Sequence, residues 1–298
     1  MTRGRGFSLV ELAVALAIIA LLLAGALIPL STQIDVRNSA DTQRSMESIR
    51  EAIIGFAQAN GRLPCPADGS IAAGAAGAGT ELLAGNSCAA ANSASCTAIN
   101  GATIPCWVVP WATLGTPETD AWGRRFSYRV SPAFADMFAN GTWATTTPAA
   151  QNPVCTPTPA PTGPTSFALC SLGNIAVLTR SGTSTTAVVS GAALPAVIIS
   201  HGKNGFGAWL TNGTRLNPIP VGNDEAANAN GNTQVAPPAV GYQSIALYSR
   251  TPTPAAAGCV DPVPPATSTA PACEFDDIVV MISSSALIVR MVAAGRLP

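Results

Sequence analysis

Residues 12–30 form an almost unbroken apolar run, and the chain beyond it changes character without a turn signal. Between residues 34 and 59 the apolar positions Val36, Ala40, Met46, Ile49, Ile53, Ile54, Phe56 and Ala57 fall mostly at helical spacing, with Asp41, Arg44, Glu47, Arg50 and Glu51 between them. The pattern predicts one long helix, apolar all round in its first half and two-faced in its second. Asn60-Gly61 and then Pro64 should end it, since glycine accepts a left-handed cap and proline cannot continue the ladder. The first half approaches the roughly 20 residues that span a bilayer. Pro29 removes one backbone donor and predicts an interruption near the end of that run.

Beyond residue 61 the period shortens. A Gly/Ala-rich stretch to about residue 100 offers few apolar anchors and reads as a long loop. Residues 107–114 are apolar and aromatic. Asp120-Ala121-Trp122-Gly123 then predicts a turn, followed by a strand that sets Phe126, Tyr128 and Val130 on one face. Residues 174–179 and 196–200 read as short strands, with further apolar runs at 278–283 and 287–292. Short strands between Gly/Pro loops favour an antiparallel sheet over a doubly wound one. The predicted class is α+β: a long N-terminal helix with a transmembrane half and an amphipathic half, the latter packed on an antiparallel β-sheet with disulfide-closed loops.

Glu11 breaks the apolar pattern near its start. A charge deep in a bilayer costs roughly 2.5–3.5 kcal/mol on insertion scales, so an intramembrane carboxylate points to function. Three readings fit the first thirty residues. One is a secretory signal peptide with Arg3 and Arg5 as its basic region and Ala24-Gly25-Ala26 as its cleavage site. Another is an uncleaved anchor. The third rests on Gly6-Phe7-Ser8-Leu9-Val10-Glu11, which resembles the leader junction of type IV prepilins and type II secretion pseudopilins. The amphipathic continuation separates them, because a cleaved signal peptide has no reason to run straight into such a helix.

The resemblance implies that a prepilin peptidase cuts after Gly6 and that Phe7 becomes the methylated N-terminus. Glu11 of one subunit would then neutralise the Phe7 amine of a neighbour. It divides the chain into a leader (1–6), a transmembrane helix (7–30), an amphipathic helix (31–60) and a pilin-like β domain (61–298). The implied protein is a filament subunit, of a type II secretion pseudopilus or a minor type IV pilin. It would sit in the bacterial inner membrane as a single-pass protein, its C-terminal domain in the periplasm or an extracellular filament. Implied partners are other pilin or pseudopilin subunits, prepilin peptidase and the inner-membrane assembly platform. The alternative is an exported binding protein that uses residues 1–30 only as signal or anchor. The turn and strand at 120–130 also resemble those of major pseudopilins.

Composition narrows the chemistry. Only 10% of residues are charged and the net charge is −1, with Lys203 the single lysine, so nothing invites nucleic-acid phosphates. Eight cysteines in an exported chain favour disulfides. Cys155 with Cys170 and Cys259 with Cys273 would each close a Pro/Thr/Ala-rich loop. Cys65, Cys88, Cys96 and Cys106 allow three connectivities, of which Cys65–Cys88 with Cys96–Cys106 is preferred. Ser200-His201 tempts a hydrolase reading, but neighbours in a strand face opposite ways and no Gly-x-Ser-x-Gly elbow occurs, so no enzyme is expected. In major pseudopilins a Gly-rich turn like 202–207, followed by aspartates, binds calcium. Here Asn223-Asp224-Glu225 and Glu274-Phe275-Asp276-Asp277 follow the turn, the second directly before an apolar strand, and the resemblance makes Asp276 and Asp277 candidate calcium ligands.

Overall fold

The computed structural model describes residues 8–84, 87–88, 106–135, 166–169, 171, 173–181, 184–187, 194–216, 222–230, 245–261 and 271–297. Gly6, Phe7, Cys96, Cys155 and Cys170 lie outside them, and with them the expected pairings Cys96–Cys106 and Cys155–Cys170. The chain divides into two compact units, Met1–Asp41 and Thr42–Pro298.

Helix α1, Leu9–Asn60, continues through Pro29 without the expected interruption. In the first unit every side chain described from Ser8 to Leu21 is exposed, including Leu9, Leu12, Leu16, Ile18 and Leu21. Among the described residues no helix is long and apolar enough to cross a membrane; the side chains of residues 22–32 fall outside that set.

In the second unit α1 turns two-faced. Thr42, Met46, Ile49, Ile53 and Ala57 are buried at steps of three and four, the stripe that a core-facing helix requires. Gly61 takes φ +72° beyond its end, donating its N–H to Ala57 O at 2.7 Å, as the Asn-Gly signal predicts.

The later elements are β1 Ala67–Asp68, β2 Leu83–Ala84, β3 Ser87–Cys88, β4 Trp107–Val108, α2 Trp111–Leu114, β5 Arg124–Arg125, β6 Ser127–Val130 and α3 Pro132–Ala135. Then come β7 Ile175–Ser181, β8 Ser184–Ala187, β9 Ala196–Ser200, β10 Trp209–Leu210, α4 Asn223–Asn230, β11 Ile245–Tyr248, β12 Ile278–Ile282 and α5 Ser284–Ala293. The main sheet runs β1-β4-β6-β9-β12, antiparallel at every step. Its inner face (Phe126, Tyr128, Val130, Ala196, Ile198, Val280, Ile282) shares one core with Met46, Ile49 and Ile53 of α1. Its other face carries Val197 and Ile199, which pack with Ile175, Val177, Leu194 and Leu247. Strand β9 is thus buried on both sides, which is why Ala-Val-Ile-Ile-Ser shows no alternation.

The class is α+β. One pair departs from the antiparallel expectation: in the small sheet β11-β7-β8, β11 runs parallel to β7, and the intervening chain has room for the crossover that parallel pairing needs. The apolar run at 287–292, to which the sequence assigns no element, is helical. Ser283 caps α5 by accepting from Ala286 N, and Leu287 and Met291, four apart, both reach the core. Cys65–Cys88 and Cys259–Cys273 are disulfides, and Cys106 is also disulfide-bonded. The Gly/Ala stretch closed by the first bridge is a chain of turns rather than a bare loop. At Gly79 (φ +69°) any Cβ would strike the Trp111 ring.

Candidate functional site

At the start of α1, Ser8 and Glu11 form a reciprocal cap. Ser8 Oγ accepts from Val10 N at 3.2 Å, and Glu11 Oε2 accepts from Ser8 N at 2.9 Å. This is the Ser-x-x-Glu capping box, and it curls the carboxylate back toward the positive end of the helix dipole. An ionised group in an apolar segment thereby gains a hydrogen bond within its own chain. The box is spelled by Ser8-Leu9-Val10-Glu11, a signal that the charge of Glu11 overshadows when the sequence is read alone.

A second constellation gathers at the end of β9. The turn at 120–123 forms because Asp120 Oδ1 accepts from Trp122 N and Arg124 N, both at 2.9 Å, while Gly123 takes φ +78°. The other oxygen of Asp120 accepts from Ser200 Oγ at 2.7 Å, which fixes the turn to β9. Arg124 then donates to Gly202 O and, at 2.7 Å, to Lys203 O, clasping the Gly-rich loop 201–207. At Gly202 (φ +54°) a Cβ would run into the carbonyl and carboxylate of Asp276.

That loop carries Asn204 to three carboxylates. Asn204 N donates to Asp276 Oδ2 at 2.8 Å, and its side-chain amide donates to Glu225 Oε1 at 3.0 Å. Glu225 comes from α4, in the segment that separates the loop from Asp276 in sequence, and Asp276 N donates to Glu225 Oε1 at 2.9 Å. One oxygen from each of Glu225, Asp276 and Asp277 lies within 4.8 Å of the other two. The structure thus brings Asp276 and Asp277 together and adds Glu225. The sequence places Glu225 downstream of the turn but offers no way to fold it back.

Behind this cluster lies a buried Ser-His-Asp line. His201 Nε2 is 2.8 Å from Ser127 Oγ, and Nδ1 is 3.6 Å from Asp277 Oδ1. The serine beside this imidazole is Ser127, on the neighbouring strand, and not Ser200. His201 is 0% exposed and Ser127 3% exposed, and Asp277 Oδ2 is occupied by Asn228 at 2.8 Å. A nucleophile needs to meet its substrate, and this hydroxyl faces packed protein. The line instead ties β6, β9, α4 and the start of β12 together.

The carboxylates fit a hard cation. Burial, reinforced by the charge of Asp277, pushes Glu225 up to about 8, and burial pushes Asp276 up to about 6. Asp276 Oδ1 and Asp277 Oδ1 are buried without a hydrogen bond, as is His201 Nδ1. Oxygen donors at this spacing, short of positive charge, suit calcium, which takes six to eight oxygens. Glu225, Asp276 and Asp277 would hold the ion, which would supply the missing charge.

Without a cation, the raised values set a direction. Below pH 4.5 Glu225 is protonated both folded and unfolded. Between 4.5 and about 8 the folded chain alone keeps the proton, so stability falls as pH rises, by up to about 1.4 kcal/mol per pH unit. Thermal unfolding of the full chain in EDTA should therefore show a lower midpoint at pH 8 than at pH 5.5. Added calcium should reverse that loss at pH 8. Glu225→Gln should flatten the pH dependence and weaken calcium binding at least about tenfold. A midpoint indifferent to both calcium and pH would contradict this arrangement.

With both constellations defined, the comparison with known proteins bears on the first. Residues 1–27 match the family model described as the prokaryotic N-terminal methylation motif, the signature of type IV pilins and pseudopilins. No curated protein and no solved structure matches the chain. The chain is pilin-like at its N-terminus, a class of envelope-associated structural subunits.

Proposed function

We propose that the protein is a subunit of an envelope-spanning filament, either a type II secretion pseudopilus or a type IV pilus in which it is a minor component. The observation that carries this reading is the exposed apolar face of residues 9–21, headed by the methylation motif and a capped Glu11. Contiguous apolar surface on that scale calls for lipid or for other helices of the same kind. In the membrane residues 7–30 span the bilayer; in the filament they pack against neighbouring subunits. Prepilin peptidase cleaves after Gly6 and Phe7 is methylated. Glu11 leaves its intrachain cap and pairs with the Phe7 amine of an adjacent subunit. The protein is a structural component and not an enzyme.

The carboxylate cluster favours a supporting role for calcium. Bound by Glu225, Asp276 and Asp277, the ion would lock the 201–207 loop to α4 and β12 and so stiffen the globular unit. The alternative, an exported binding protein delivered by residues 1–30, predicts a different mature N-terminus.

Intact-mass and N-terminal peptide mass spectrometry on membrane-extracted protein, from hosts with and without prepilin peptidase, separates the two. A peptidase-dependent start at methylated Phe7 is expected. A start near Leu27, independent of that enzyme, would refute the filament reading.

A further inference from the structure

Helix α4 is fastened both to the carboxylate cluster and to the small sheet. Glu225 belongs to the cluster. One residue earlier, Asp224 pairs with Arg180 of β7 at 2.5 Å. Three residues on from Glu225, Asn228 is 0% exposed, and its amide is fully engaged by two partners. Its Oδ1 accepts from Tyr248 N at 2.7 Å; its Nδ2 donates to Tyr248 O at 2.9 Å and to Asp277 Oδ2 at 2.8 Å.

The Tyr248 contacts close a strand edge. β11 is an end strand of the order β11-β7-β8, and Ser249 N turns toward Leu178 O of β7 at 2.8 Å. Backbone groups alternate in direction along a strand, so Tyr248 N and O face the other way, and Asn228 meets both as a further strand would. The Asp277 contact acts on the cation side. With Oδ2 held by a buried charge-assisted hydrogen bond, the carboxylate resists rotation, and Oδ1 is left buried without a hydrogen bond. Oδ1 is then the oxygen turned over to an ion. The amide cannot be reversed, since its oxygen would face a carboxylate and its NH2 group an N–H.

We infer that Asn228 is the positioning residue of the cation site and the link through which a bound cation tightens the small sheet. This rests on the calcium reading above and carries it beyond the 201–207 loop. An ion on Asp277 Oδ1 fixes the carboxylate, the carboxylate fixes the Asn228 amide, and the amide holds the end of β11. β11 also carries Leu247, which packs with Val197 and Ile199 of β9, so the effect reaches the contact between the two sheets. Linkage makes it reciprocal: an ordered β11 raises affinity for the ion by the same factor. Asp224 offers a competing route, from its neighbour Glu225 through Arg180 to β7.

The probe is calcium alone, added to the full chain in detergent after divalent ions are removed, with affinity read by calorimetry and hydrogen exchange by mass spectrometry. At saturation, exchange in peptides covering 245–249 should slow by at least about tenfold, and by more than in peptides covering β1 and β4 at the far side of the main sheet. Asn228→Ala should weaken calcium binding by about 10–100-fold. Saturated with extra calcium, it should protect the 201–207 loop and no longer slow 245–249. Asn228→Ser, the gentler change, should shift both readouts the same way. Failure of the wild-type chain to bind calcium would remove the calcium reading and this inference with it. Binding that protects 245–249 no more than β1 and β4 would overturn this inference alone. Calcium-dependent slowing at 245–249 that persists in Asn228→Ala would give the link to Asp224 and overturn the role of Asn228. So would unchanged calcium affinity in a variant destabilised equally with and without the ion, the mark of a residue that only supports the fold.

Discussion

Glu11→Ala should leave the chain in the membrane and take it out of filaments. Insertion depends on the apolar run, which the substitution lengthens. In the proposed filament, assembly would depend on a partner for the Phe7 amine, and an uncompensated charge at that depth costs roughly 2.5–3.5 kcal/mol, on the order of a hundredfold in incorporation. Glu11→Gln isolates the cause. Glutamine can still accept from Ser8 N, so the cap survives while the charge is gone. Both variants should fail alike when filament-associated protein is compared with membrane-retained protein by immunoblot. Wild-type incorporation of Glu11→Gln would assign the residue to capping alone. Ser8→Ala removes only the hydroxyl end of the cap and should cost about 1 kcal/mol of helix stability, a milder defect.

Asp224→Ala should be the most damaging single change in the globular unit. The carboxylate takes Arg180 Nε at 2.9 Å and Nη2 at 2.5 Å, and Arg250 Nε at 3.1 Å, all with little solvent. Its removal takes from Arg180 the carboxylate that holds two of its nitrogens, and leaves Arg250 with Asp261 at 3.3 Å. Breaking a buried ionic network from one side costs about 3–5 kcal/mol, and the same fold would lose far less if the whole network were replaced by apolar residues. Asp224 and Glu225 are neighbours on α4, so the variant should also weaken calcium binding. Denaturant unfolding with and without calcium measures both effects. A loss below about 1 kcal/mol would show that the two arginines find other partners.

Much of this molecule could be read before folding, and the reason differs by region. The second half of α1 was legible because its period is strong and its stop is spelled by Asn60, Gly61 and Pro64. The strand at β6 was legible because Phe126, Tyr128 and Val130 alternate. The other side of that strand was not legible: Arg125, Ser127 and Arg129 are all buried. Alternation normally marks one wet face, and here the polar side chains meet partners on both sides of the strand in sequence: Glu118 and Thr211 for Arg125, Trp107 for Arg129 and His201 for Ser127. The helix at 284–293 was hidden because a short apolar run carries no period of its own, and the cap at Ser283 decided it. Glu225 stood in view in the acidic run after the turn, but its position was hidden for another reason. Its place beside Asp276 depends on how residues 208–273 return to the sheet, which is a matter of topology and not of local pattern. Its neighbour Asp224 supplies the anchor that makes the return stable. No signal in the strand pattern marked Ser127 as the partner of His201, since only the pairing of β6 with β9 brings them together.

Strand order has a consequence for the timing of biogenesis. β9 sits between β6 and β12, and β12 with α5 comes later in the chain than the other elements of the sheet. One flank of the central strand, the Leu287 and Met291 portion of the core and two of the three clustered carboxylates all arrive after β1, β4, β6 and β9. Contacts this distant in sequence form slowly. An emerging chain therefore waits, open and apolar along β9, until β12 is delivered. A ribosome that stalls short of β12 releases a polypeptide with no route to the folded state, and quality-control proteases meet it as an unfinished sheet.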